Sequence, residues 1–288
     1  MNVFVTGASG QLGSEIASIS SSYPKINFFF ANSKLIDICN FNELESYVNQ
    51  NNIDVIINCA AYTKVDKAEE EIELAEKVNI VGVANLVKVI KKTNRKLIHV
   101  STDYVFDGKT YVPYKESDAT NPLGVYGSTK LKGEEIIIDS EINAIIIRTS
   151  WLYSEFGNNF VKTMLRLGNE RESLGVIVDQ VGTPTNAKDL AFVCLEILTK
   201  NDQLNKSGTV YHFSNEGVAS WYDFASTIME LSKTDCKVLP IETKDYPTPA
   251  IRPQYSILNK SKIKNDFNLS ILNWRESLST CIKKIKKK

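Results

Sequence analysis

Val3-Phe4-Val5-Thr6-Gly7-Ala8-Ser9-Gly10-Gln11-Leu12-Gly13 is the stretch that decides the fold. Three apolar residues form a short strand, which runs directly into a glycine turn and then into a helical segment over residues 14–20. A buried strand, a glycine turn and a helix N-terminus make an anion site, because backbone N–H groups and the helix dipole converge there. Glycine permits the tight turn and a close approach of the backbone to a ligand. The spacing is Gly-x-x-Gly-x-x-Gly, without the Gly-x-Gly core of the standard dinucleotide fingerprint. The stretch predicts nucleotide binding at the first crossover of an α/β sheet. Its bland alternative is a plain structural turn.

Outward from this turn the pattern repeats. Residues 26–31, 54–61, 97–100 and 144–150 read as further apolar strands, with helical patterns over 41–50 and 69–92 between them. Strands alternating with helices at this rhythm predict a Rossmann-like, doubly wound parallel sheet. Residues 1–150 are expected to form an NAD(P)-binding domain. Residues 151–288 are expected to form mainly a smaller C-terminal α/β substrate-binding domain that closes as a lid, with segments around 174–200 returning to the large sheet. The second strand ends in Asn32-Ser33-Lys34. A site specific for NAD usually carries an acid there to hold the ribose hydroxyl. Its absence and the nearby lysine favour NADPH and leave NADH open. Asp37 suits an adenine or ribose contact, and equally a local cap ahead of the next helix.

The totals narrow the function classes. Lys+Arg and Asp+Glu are both 34, so the chain offers no net field to a nucleic acid or an anionic membrane. The basic ending Lys286-Lys287-Lys288 reads as a solvated tail. The five cysteines are scattered without a Cys-x-x-Cys pair, which suggests neither a disulfide framework nor a zinc site. Without a stretch of about 18 apolar residues, the chain is expected to be cytoplasmic. His99 and His212 sit in apolar strands and read as satisfied core residues, which argues against histidine acid–base chemistry.

Ligands of a doubly wound sheet bind beyond the C-terminal ends of its strands. Ser101 and Thr102 stand at such an end. One loop later, Val125-Tyr126-Gly127-Ser128-Thr129-Lys130 starts a helix after the breaker cluster Asn121-Pro122-Leu123-Gly124. Tyr126 and Lys130 are four residues apart, so they share one helix face. A cation beside a phenol stabilises the phenolate, which predicts a proton donor with a pKa drawn below its usual value of about 10. A second Tyr-x-x-x-Lys, Tyr111 to Lys115, contains Pro113 and reads as a loop. The bland alternative for Tyr126 and Lys130 is a surface tyrosine and a solvated lysine.

Gly7, Gly10 and Gly13, the hydroxyls of strand four, and Tyr126 with Lys130 together resemble the extended short-chain dehydrogenase/reductase family. The stretches GASGQLG (7–13), NCAAYTKVDKAE (58–69), STDYVFDG (101–108), NPLGVYGSTKLKGE (121–134), RTSWLY (148–153), GNNFVKTML (157–165), DQVGTPT (179–185) and YPTPAIRP (246–253) carry the likeness. Within the family they are similar to the reductases of 4-keto dTDP-sugars. The resemblance implies NADPH-dependent reduction of the 4-keto group of dTDP-4-dehydro-β-L-rhamnose to dTDP-L-rhamnose, a step toward cell-surface polysaccharide. It assigns Tyr126 as proton donor to the sugar O4, Lys130 as the ribose contact that lowers the tyrosine pKa, and Thr102 as the hydrogen-bond donor to the carbonyl. Gly7, Gly10, Gln11 and Leu12 would sit on the cofactor pyrophosphate, with Ala60, Ala61 and Thr63 along the cofactor. Val65, Asp103 and Trp151 would line the sugar pocket, and Asn159 and Arg252 would contact the nucleotide diphosphate. Some family members hold a magnesium ion at a homodimer contact with acidic side chains. Glu15 matches one such position, while Lys188 stands near Ala187 where another acid is expected.

Two other readings accompany this one. A sister epimerase or dehydratase would share the fold, but a dehydratase carries Asp-Glu after the threonine, where this chain has Asp103-Tyr104. A non-catalytic NADP-binding subunit, like the one that regulates methionine adenosyltransferase, could dispense with the catalytic set. Thr102, Tyr126 and Lys130 are all present, which favours an enzyme.

Overall fold

The computed structural model describes residues 1–93, 95–200, 204 and 207–287. The continuous apolar runs become its central strands, because a parallel strand covered by helices buries both of its faces. These are β1 (Asn2–Thr6), β2 (Asn27–Phe30), β3 (Val55–Asn58), β4 (Lys96–Thr102) and β5 (Ala144–Thr149). Every residue of β3 and β5 is buried. Shorter strands follow: β6 (Leu152–Tyr153), β7 (Ser173–Ile177), β8 (Val181–Gly182), β9 (Thr185–Asn186), β10 (Thr209–His212), β11 (Ala219–Ser220) and β12 (Lys237–Ile241). Six strands pair in parallel in the order β10-β5-β4-β3-β1-β2. The chain leaves β1 toward β2 on one side and returns to β3 on the other. The switch point therefore lies between β1 and β3, where Thr6 pairs with Asn58. Ligands of such sheets bind in that crevice.

The helices are α1 (Gln11–Ile19), α2 (Phe41–Gln50), α3 (Val65–Ala68), α4 (Ile72–Glu76), α5 (Gly82–Thr93), α6 (Val125–Asp139), α7 (Phe160–Glu170), α8 (Ala187–Thr199), α9 (Trp221–Ser232), α10 (Ser261–Phe267) and α11 (Trp274–Ile285). Alternate strand residues feed opposite faces of the sheet. Val3, Val5, Ile57 and Ile147 pack with Leu12 and Ile16 of α1 and with Leu190 and Cys194 of α8. On the other face, Phe4, Ile56 and Ile146 pack with Leu44 of α2, Leu86 and Ile90 of α5, and Ile137 of α6. A separate core of Tyr153, Val161, Phe224, Ile228, Trp274 and Leu278 holds α7, α9 and α11 together. Among the described residues, no helix is long and apolar enough to cross a membrane.

Two parts differ from the sequence reading. The segment expected to rejoin the large sheet divides. Ser173–Ile177 pairs with Lys237–Ile241 in its own two-stranded sheet, whereas α8 packs on the large sheet and β10 supplies its sixth strand. The burial of β7 alternates, so it has one apolar face and lacks the two-sided burial of a central strand. The helical pattern over 69–92 is also interrupted. A π turn at Lys77–Val81 separates α4 from α5. Such a turn re-aims one side chain without ending the helix. Here it buries Asn79, whose Oδ1 accepts from Tyr62 N (2.9 Å) and whose Nδ2 donates to the Tyr62 carbonyl (3.2 Å) and Thr129 Oγ1 (3.1 Å). Asn79 thereby ties the loop after β3 to α6.

Candidate active site

β1 hands the chain to Gly7 at φ +61°, where an L side chain is strained. A Cβ there would also stand 2.7 Å from the Ala60 nitrogen, and one at Gly13 would stand 2.6 Å from Ala8 Cα. Gly10 is the N-cap of α1 and brings no side chain to the N–H groups of the first turn. Those donors remain for an anion. The cradle fits the pyrophosphate of a dinucleotide, with Leu12 buried behind it and half-buried Ala60 and Ala61 beside exposed Thr63. At the end of β2, Asn32 Oδ1 accepts from Lys34 N (3.0 Å) and Leu35 N (3.2 Å), leaving an exposed lysine and no acid at that point. Asp37 makes the local contact, its Oδ1 accepting from Cys39 N at 2.9 Å.

α6 begins at Val125, and its approach to the loop after β4 depends on Gly127, where a Cβ would collide with the Tyr104 carbonyl oxygen. Gly124 has no side chain to cap the helix. The Val125 N–H donates instead to Glu69 Oε1 at 2.9 Å, a carboxylate from 56 residues earlier. Tyr126 is half-buried, with the Tyr104 ring edge-on at 5.4 Å and 73°. Thr102 Oγ1 donates to Asp103 Oδ1 (3.1 Å) and accepts from Tyr104 N (3.2 Å).

The electrostatics correct the sequence argument for the tyrosine. Burial pushes the Tyr126 hydroxyl up to about 12; a hydrogen bond with Thr102 pulls it down and the Asp103 charge raises it further. Lys130 does not lower it. Its Nζ reaches across to the Val100 carbonyl (2.7 Å) and lies 3.4 Å from His99 Nε2. Burial brings Lys130 itself down to about 8, against the opposing charges of Glu134 and Cys59. The four-residue spacing thus sets a shared face but not a contact between the two polar ends. His99 is fully buried against Asn58 (3.0 Å) and held well below the usual imidazole range by burial and by Lys130.

Asp103 is 1% exposed. Burial raises its carboxyl to about 7, while Ser256 and Thr102 pull the other way. Its Oδ2 has no partner of hydrogen-bonding geometry among the described residues. An unfolded aspartate titrates near 3.9. Between about 4 and 7 the folded chain therefore binds more protons here than the unfolded chain. The stability this group contributes is present below that window and is lost as pH rises through it. Asp103→Asn is expected to gain on the native chain in denaturant unfolding from pH 4 to pH 7. A difference that stays constant with pH would show that the carboxyl titrates normally.

Trp151 adopts φ +47°, a left-handed backbone that a bulky residue rarely takes and that marks functional sites when the surroundings hold it. Its ring stacks on Trp221 at 3.6 Å and 7°. Gly182 makes room, since a Cβ there would stand 2.7 Å from Trp151 Cε2. Arg252 lines a groove of about 380 Å³ with Leu123, Gln180, Tyr246 and Thr248. A larger depression of about 510 Å³, lined by Met1, Asp54 and Arg95, lies at the opposite end of the sheet, away from these groups. Asn159 and Arg252, expected on one diphosphate, have different surroundings. Asn159 caps α7, and its Nδ2 donates to Gln11 Oε1 (3.0 Å) and the Ser154 carbonyl (2.8 Å), on the cofactor side.

Glu15 is buried and accepts from Ser154 Oγ at 2.6 Å. Burial raises its pKa, and Ser154, Lys284 and Lys188 lower it, with Glu155 opposing. A carboxylate faced by two ammonium groups does not fit a divalent cation within this chain. Sequence reasoning passed over Asp66, Glu69 and Trp221, which lie in stretches whose composition singles out no one residue. Asp66 and Glu69 stand three apart, a signal that both acids share a face of a short helix.

Residues 1–287 match the family model described as RmlD substrate binding domain. The chain is 41% identical over 285 residues to the dTDP-4-dehydrorhamnose reductase of Aggregatibacter actinomycetemcomitans, covering 96% of each sequence. Its fold superposes with a TM-score of 0.93 on a dTDP-4-dehydrorhamnose reductase of Clostridium acetobutylicum, at 39% identity over 99% of this chain and 100% of that one. The dTDP-4-dehydrorhamnose reductase of Bacillus anthracis, solved in complex with NADP, gives 0.90 at 37% identity over 98% and 99% of the two chains.

Proposed function

The chain belongs to the RmlD substrate binding domain family, and on that premise we propose that it uses NADPH to reduce the 4-keto group of dTDP-4-dehydro-β-L-rhamnose, giving dTDP-L-rhamnose. The observation that carries the reading is the arrangement of Thr102, Tyr126 and Lys130 beyond the carboxyl ends of the strands, in a sheet whose switch point is a glycine cradle.

Gly7, Gly10, Gln11 and Leu12 hold the pyrophosphate, with Ala60, Ala61 and Thr63 along the cofactor and Asp37 near its adenosine end. When bound, NADPH supplies the hydride that reaches C4. The charge that develops on O4 needs a proton and a hydrogen-bond donor. Tyr126 gives the proton. A phenol pushed up to about 12 stays protonated at any working pH, so the donor form is always present and transfer follows the charge as it builds. Thr102 hydrogen-bonds the same oxygen. Lys130 holds the nicotinamide ribose. On the sugar side, Trp151 stacked on Trp221 forms a wall with Val65, and Asp103 lines the pocket behind Thr102. Arg252 takes the diphosphate. Asn159 acts through Gln11.

Mixing the protein with dTDP-4-dehydrorhamnose is expected to consume NADPH in proportion to the sugar, and to consume none without it. A parallel series with NADH ranks the cofactors. Flat absorbance with NADPH and the sugar would sink the reading.

A further inference from the structure

One ion pair joins the cofactor half of the chain to the substrate loop and has no part in the roles above. Asp66 lies on α3, just after the segment 60–63 that borders the cofactor cradle. Arg252 lies near the end of the proline-rich stretch 247–253. Arg252 Nη2 donates to Asp66 Oδ2 (2.7 Å) and Nη1 to Asp66 Oδ1 (2.9 Å). Nη1 also donates to Thr248 Oγ1 (2.6 Å) and to the Ala250 carbonyl (3.2 Å). The Ala250 N–H donates to Asp66 Oδ1 at 3.4 Å. The carboxylate therefore binds both the guanidinium and the backbone of the loop that carries it.

Donor accounting shows what this clamp leaves. A guanidinium has five N–H groups in two planar forks. Asp66 occupies the end-on fork, with one N–H from each Nη. The second fork, Nε–H with the other Nη2–H, is used by none of these bonds. The other neighbour acting on the guanidinium is Tyr104, whose ring packs on Tyr126 and whose hydroxyl is within hydrogen-bonding reach of it. A guanidinium fork matches two phosphate oxygens, which would take the place of the Tyr104 hydroxyl beside it. An unheld arginine would lose rotamer freedom each time substrate bound; one already clamped has lost it on folding.

We propose that Asp66 is a positioning residue for the sugar-nucleotide diphosphate: by holding Arg252 end-on, it presents the second fork of the guanidinium to the phosphate oxygens. The proposal rests on the reading of Arg252 as the diphosphate contact. The hydrogen bond from Arg252 holds the Asp66 carboxyl below its usual range, so the clamp stays charged at neutral pH. The same segment carries Glu69, which caps α6. This short helix and the residue that follows it thus set both the arginine and the start of the tyrosine helix.

Asp66→Asn keeps the shape and removes the charge. In the full chain, calorimetry with dTDP is expected to show affinity about tenfold weaker, the effect of one charge-assisted hydrogen bond. The KM for the keto sugar is expected to rise equally, with kcat and NADPH affinity held within about twofold. Arg252→Lys is expected to show the same defect, and the double variant to be no worse than either single one, because both act on one contact. If Arg252→Lys weakens dTDP and Asp66→Asn does not, Asp66 has no positioning role and the proposal fails. If neither weakens dTDP in an active enzyme, Arg252 does not hold the diphosphate and the underlying assignment fails with it. Equal losses of NADPH and dTDP affinity in Asp66→Asn would mark general damage and overturn the proposal too.

Discussion

A Tyr126→Phe variant is expected to bind NADPH as the native chain does and to turn over about 10²–10⁴-fold more slowly, the range that general acid catalysis supplies. The ring remains, with its edge-on packing against Tyr104, and only the hydroxyl is lost. Thr102 cannot replace the proton, because an alcohol is a far weaker acid than a phenol: it can hydrogen-bond the oxygen but not protonate it. The nearest other acid is Asp103, raised by burial to about 7. Residual turnover in the variant that falls as pH rises through 7 would point to that carboxyl. Single-turnover NADPH oxidation and a fluorescence titration of NADPH make the test. Unchanged turnover would mean the proton comes from elsewhere. Lost NADPH binding would place the hydroxyl in the cofactor site.

The largest effect on folding is expected from Arg148→Met. Arg148 and Glu134 form a buried pair, with Nη2 to Oε2 at 2.7 Å, Nε to both carboxylate oxygens at 3.1 Å, and side chains 5% and 0% exposed. Ser101 Oγ donates to the same carboxylate, and the Phe106 ring lies 5.1 Å from the guanidinium carbon. Glu134 sits one turn beyond Lys130 on α6, and Arg148 is on β5, so the pair fastens the tyrosine helix to the sheet. Removing one partner strands a charge where water cannot reach it, which destabilises by about 3–5 kcal/mol. For a chain of this size that lowers Tm by roughly 5–10 °C. Arg148→Met combined with Glu134→Leu is expected to recover much of the loss, since an apolar pair has no charge to desolvate. Thermal unfolding of the single and double variants decides it; a single variant that melts with the native chain would show that water reaches Glu134.

The order of strands and helices was open to a sequence reading where each signal lies within a few consecutive residues. Gly7 follows a strand and precedes a helix, and the backbone takes the left-handed turn that only such a residue allows without strain. Pro113 rules out Tyr111–Lys115, and Tyr111 is 92% exposed in a loop. The break after Pro122 places the start of α6 one residue before Tyr126. Less local features stayed hidden. The π turn at Lys77–Val81 depends on Asn79 meeting the Tyr62 backbone and Thr129, which no pattern of apolar residues encodes. The place of β7 depends on which strand edge it can reach, and its alternating burial suits the small sheet with β12.

By itself the sequence determined the cradle, the parallel sheet and the shared face of Tyr126 and Lys130, because turns and helices are set by neighbours within about four residues. Only the tertiary structure decided what those groups are. It sends the Lys130 ammonium to the Val100 carbonyl, raises the Tyr126 hydroxyl instead of lowering it, clamps Arg252 on a carboxylate 186 residues away, and stacks Trp151 on Trp221. Burial and long-range partners fix the charge state and aim of a side chain, and both arise only when distant segments are packed together.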